Sequence, residues 1–112
     1  MPQETSPDAR GLDQLAKSGS DLSKLHSIDF TLRFPTQTAA QKAELNLIGL
    51  AFDTKLEHGK SASEWIIIAT KVMYPSQTDL EGLRDKLDQV AADNHGTYVG
   101  WKAKLFVRKP EG

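Results

Sequence analysis

Hydrophobic and polar residues alternate singly along Ser27–Phe34, where Ile28, Phe30, Leu32 and Phe34 are separated by Asp29, Thr31 and Arg33. A period of two places the apolar set on one side of a strand and leaves the other side wet. The same period over Tyr98–Leu105 sets Val99, Trp101, Ala103 and Leu105 against Tyr98, Gly100, Lys102 and Lys104. It predicts a final strand whose Trp101 points into a core while Tyr98 leans outward. Gly100 within that run marks a bulge or a close approach by another backbone. Leu50–Glu57 alternates at Phe52, Thr54 and Leu56, which predicts a more exposed strand, and His58–Ser61 reads as a hairpin loop. Trp65–Met73 is nearly all apolar and rich in β-branched residues. That run predicts a strand covered on both faces, or one whose second face is a binding surface.

A period near 3.6 appears in three other stretches. Asp8–Lys17, with Leu12, Leu15 and Ala16 on one side and Gly19 just past the end, predicts a short helix that packs against the rest. Ser18–Asp21 is turn chemistry. Pro35 ends the first strand, and Thr36 or Thr38 can cap a helix running to about Ile48, with Ala40, Ala43 and Leu47 inward and Gly49 as its exit. Ser76 can cap a longer helix with Asp79 three residues on, followed by Leu80, Leu83, Leu87, Val90 and Ala91. Asp93–Gly96 closes it, Gly96 or Asn94 taking the left-handed conformation. Leaving the leading helix aside, the order strand, helix, strand, strand, helix, strand predicts an α+β, ferredoxin-like two-layer sandwich: a four-stranded antiparallel sheet with two helices on one face, plus the N-terminal helix. Residues 1–7 read as a flexible leader, 8–107 as the single domain and 108–112 as a polar tail.

Composition removes several function classes. Fourteen Lys plus Arg against fifteen Asp plus Glu leave a formal charge of −1, so no overall field draws in a polyanion. The absence of Cys excludes disulfides and thiolate metal sites. The polar, acidic start does not resemble a signal peptide, and a cytoplasmic location is expected. His26, His58 and His95 are too far apart for a ligand motif and read as ordinary loop and surface histidines. Glycines occur singly, without a phosphate cradle or nucleophile elbow. Asp29, Asp53 and Glu64 could in principle supply paired carboxylates, but alternation places Asp29 on a hydrated face with no assigned partner. The expectation is therefore a protein that is not an enzyme and holds no cofactor or metal. An open four-stranded sheet also allows direct single-stranded RNA binding. Tyr98, Lys102, Lys104 and Arg33 would carry it, although one aromatic is few and no segment resembles the aromatic-rich RNA-binding signature.

With these elements placed, the chain resembles the bacterial regulator of ribonuclease E activity B family. The resemblance rests on Ser18-Gly19-Ser20-Asp21 before Ile28-Asp29-Phe30, Ala43 through Gly49 before Phe52, Trp65 and Pro75 bracketing the long strand, and Tyr98-x-Gly100-Trp101. It covers residues 10 to 106 and implies a ferredoxin-like sandwich, independently of the periodicity. It further implies a non-enzymatic regulator that binds and inhibits a ribonuclease E-like endoribonuclease, as a monomer or weak homodimer. Tyr98, Gly100 and Trp101 are the partner-binding residues this suggests, with Asp21 on the adjoining turn, although the commoner role of such a Trp is core packing. The sequence departs from the family in carrying Val99 where an aspartate would follow the tyrosine, and in ending on Arg108–Gly112 where the inhibitors have an acidic extension. Weaker binding to basic partner segments, or another partner, is the expected consequence.

Overall fold

The computed structural model describes residues 7–61 and 63–103. Its elements are α1 (Pro7–Lys17), β1 (His26–Phe34), α2 (Gln37–Gly49), β2 (Asp53–His58), β3 (Trp65–Met73), α3 (Gln77–Asp93) and β4 (Thr97–Ala103). The strands form one antiparallel sheet in the order β2-β3-β1-β4. This is the predicted α+β arrangement. Residues 1–6 of the expected leader, the end of the last strand at Lys104 and Leu105, and the polar tail lie outside the described residues, while Pro7, read as leader, opens α1.

The alternation in β1 does what its period requires. Ile28, Phe30, Leu32 and Phe34 are buried against Ala40, Ala43 and Leu47 of α2 and Leu80, Leu87, Val90 and Ala91 of α3. β3 lends the same layer Ile67 and Ala69, while Ile66, Ile68 and Val72 fall on the other side. No element among the described residues covers that second side, so there the apolar run in β3 is not sealed on both faces.

Local chemistry sets the element ends. Thr36, not Thr38, caps α2 by accepting from the Ala39 amide at 3.1 Å, and Ser76 caps α3 by accepting from Asp79 at 3.2 Å. Gly19 takes the left-handed stop after α1 as predicted, with φ 98°. The other two stops differ from expectation: Ala51 (φ 71°) ends α2 and His95 (φ 61°) ends α3. In each case amides past the helix return to its last carbonyls, Phe52 to Leu47 and Gly96 to Ala91. The position of the turn toward the next strand therefore overrides residue preference, and Gly49 stays helical. Because Leu50 and Ala51 are consumed in this stop, β2 starts at Asp53 rather than Leu50. Phe52 instead meets Phe30 edge to face, ring centres 5.6 Å apart.

β4 holds the largest correction. Thr31 pairs with Gly100 but Leu32 pairs with Tyr98, so Val99 is an extra residue in the ladder, and Gly100 adopts φ 153°. One inserted residue inverts the alternation on its far side. Tyr98 therefore turns to the same helix-facing side as Trp101, half-buried against the core, and Val99 is 56% exposed.

Candidate functional site

Trp101 lies opposite Phe30 on the helix-covered face, and its indole Nε1 donates to Asp8 Oδ1 at 3.0 Å. Asp8, in the first turn of α1, is only 1% exposed. A buried carboxylate requires compensation. It receives that from the Trp101 hydrogen bond and from Arg84 of α3, whose Nε stands 3.6 Å from Oδ2. One turn further along α1, Gly11 passes so close that a Cβ there would sit 2.7 Å from Trp101 Cζ2. Close approach, hydrogen bond and ion pair together fasten α1 to α3 and β4.

Tyr98 adjoins this brace. Its hydroxyl and Asp8 Oδ2 are both buried without a hydrogen-bond partner among the described residues. Burial, reinforced by the Asp8 charge and opposed by Arg84, raises the Tyr98 phenol well above its usual range, so it stays neutral. A neutral phenol, a paired carboxylate and an indole contain no nucleophile with an adjacent base. The arrangement acts as an interior brace.

Tyr98, Gly100 and Trp101 are thus brought together, with Tyr98 and Trp101 facing inward and Gly100 making the bulge. Asp21 stands apart, on the loop from α1 to β1, where its Oδ1 accepts from the Ser23 amide at 3.0 Å and the Ser23 hydroxyl at 2.6 Å. Nearby His26 is an interior residue rather than a surface one. It is 2% exposed, with Nδ1 donating to the Lys24 carbonyl at 2.8 Å and Nε2 2.6 Å from Ser20 Oγ. No group of metal-ligating side chains assembles among the described residues.

The sequence reading missed Asp8, Gly11 and Arg84 as members of this group. Gly11 offered a signal, since glycine inside an amphipathic helix costs about 1 kcal/mol relative to alanine and usually marks close packing. A buried indole N–H also needs an acceptor.

The open face of the sheet has a different character. Along β3 it presents Ile66, Ile68 and Val72, with Val72 63% exposed, and Ser27, Asp29, Thr31 and Arg33 of β1 lie beside them. Asp53, Lys55 and Glu57 of β2 border one side, and Gly100 and Lys102 of β4 the other. Most of the charge there is already matched: Thr70 donates to Asp29 at 2.7 Å, Arg33 is 3.6 Å from Glu64, and Lys55 is 3.6 Å from Glu57. The inward turn of Tyr98 removes the aromatic on which base stacking would have depended. No helix among the described residues is long and apolar enough to cross a membrane.

Residues 7–103 match a family model described as RraB, regulator of ribonuclease activity B. No curated protein matches the chain.

Proposed function

The chain belongs to the regulator of ribonuclease activity B family, and on that premise we propose that it works in the cytoplasm as a non-enzymatic inhibitor of a ribonuclease E-like endoribonuclease. The family match over 7–103 carries the regulatory reading. The open sheet face supports the choice of surface, because Ile66, Ile68 and Val72 form an apolar stripe edged by matched charges. Apolar side chains in a polar surround are the usual core of a protein interface. Val99, the extra residue of the β4 bulge, is exposed on the strand beyond β1. Tyr98, Gly100 and Trp101 act as positioning residues, holding the bulge and β4 from the helix side, and Asp21 is a peripheral contact on the α1–β1 loop.

The test is a cleavage assay with a purified ribonuclease E-like endoribonuclease and a single-stranded RNA substrate. Addition of the chain is expected to lower the cleavage rate in a saturable manner, with a complex recovered in the absence of RNA. An unchanged rate together with no complex contradicts the proposal. Inhibition that instead follows the RNA concentration, with affinity of the chain for RNA alone, would point to substrate binding.

A further inference from the structure

At the end of the sheet where β1 leaves for α2, three chain segments line an open depression of about 400 Å³. Arg33 comes from β1, Lys60, Ser61 and Ser63 from the β2–β3 hairpin, and His95 and Thr97 from the α3–β4 turn. Arg33, Lys60 and His95 thus come from three separate chain segments, and Ser61, Ser63 and Thr97 add hydroxyls from two of them, in a protein whose formal charge is −1.

One carboxylate, Glu64, also lines the cavity, and both its oxygens are engaged. Oε1 accepts from the Lys60 amide at 2.9 Å and Oε2 lies 3.6 Å from Arg33 Nη1. Together with the 2.7 Å bond from the Gly59 amide to the Glu64 carbonyl, these contacts shape the hairpin. Among the described residues neither the Lys60 ammonium nor the His95 ring has an ion pair. His95 is also held at φ 61°, a backbone region unfavourable for a non-glycine residue, by the turn that returns the Gly96 amide to Ala91 at 2.7 Å. A second cavity of similar size, lined by Lys71, Met73, Asp79 and Leu83, lacks this character: it is more apolar, and its Lys71 reaches the Leu50 carbonyl.

The geometry points to an oxyanion site whose ligand is a phosphate monoester. A guanidinium with one nitrogen beside Glu64, an exposed ammonium and hydroxyl donors are groups that can hold a tetrahedral dianion. The depression is broad and open to solvent, so a phosphate held by these donors leaves its esterified group a path outward.

The experiment is a two-dimensional amide NMR titration of the full chain at low ionic strength, with sodium phosphate, adenosine 5′-monophosphate and ionic-strength-matched sodium chloride as separate arms. Saturable shifts at Arg33, Lys60, Ser61, Gly96 and Thr97 are expected with both phosphates, tighter with the monophosphate and absent with chloride. Lys60→Ala, at an exposed position, should weaken the affinity at least five-fold. His95→Gly, which suits the left-handed backbone, should weaken it two- to three-fold without lowering the melting temperature. Equal affinity for the two phosphates would reassign the ligand to inorganic phosphate and overturn the monoester. Shifts that do not saturate, that spread over unrelated lysines such as Lys17 and Lys86, that chloride reproduces, or that survive Lys60→Ala would overturn the site. No ribonuclease is present, so the outcome is independent of the inhibitor reading.

Discussion

Ile67 and Ile68 are identical neighbours on β3, yet the first is fully buried against the helices while the second lies partly exposed on the open face. The same contrast runs through the whole sheet. On the helix side, apolar residues interlock and Asp8, a buried carboxylate, is met by Trp101 and Arg84. On the open side, apolar area is left partly in water, at about 25 cal/mol for each Å² that a partner could cover. Changes on the first side should thus be felt as stability, and changes on the second as binding.

Substitutions on the helix side sharpen this comparison. The largest effect is expected from Phe30→Ala, which empties the centre of the core and should cost about 3–5 kcal/mol in urea denaturation. Asp8→Ala orphans the Trp101 N–H and frees Arg84, so a loss of about 1–3 kcal/mol is expected, with a red shift of tryptophan fluorescence as α1 loosens. Gly11→Ala is more diagnostic, because helix propensity alone predicts a gain of up to about 1 kcal/mol. The predicted clash with Trp101 reverses the sign, and a measured gain would show that α1 does not sit as described. Smallest is Tyr98→Phe. Removing an unpartnered buried hydroxyl should leave stability unchanged or raise it by less than about 1 kcal/mol. It should also change the alkaline limb of the stability curve. The folded phenol is raised above its unfolded value, so its contribution is complete below about pH 10 and is lost as the pH climbs beyond that. The Phe variant should lack that part of the decline.

Much of the architecture was legible because it is written in local periodicity. Ile28 to Phe34 identified β1, Ser76 with Asp79 identified the start of α3, and Gly19 marked the end of α1. The failures share one cause, a decision made elsewhere in the fold. Gly100 was recognised as a bulge candidate, but the period of two was carried straight through it, which assigned Tyr98 and Val99 to the wrong faces. Ala51 and His95 took left-handed positions that composition gives to glycine, because the path into the next strand fixes where each helix must stop. Asp8 entered only as the start of the first helix, since its partner Trp101 is 93 residues away. The depression around Lys60 and His95 was equally hidden: its walls come from three chain segments that no motif links.

The division between the two faces is tested most directly by placing the same charge on adjacent β3 residues and measuring both thermal unfolding and inhibition of a ribonuclease E-like endoribonuclease. Ile67→Asp should unfold the chain or lower its stability by several kcal/mol, as expected for an unpaired buried charge. Ile68→Asp should change stability by only about 1 kcal/mol while inhibition falls at least ten-fold. A folded Ile68→Asp variant that inhibits as well as the parent would contradict the open face as the partner's surface.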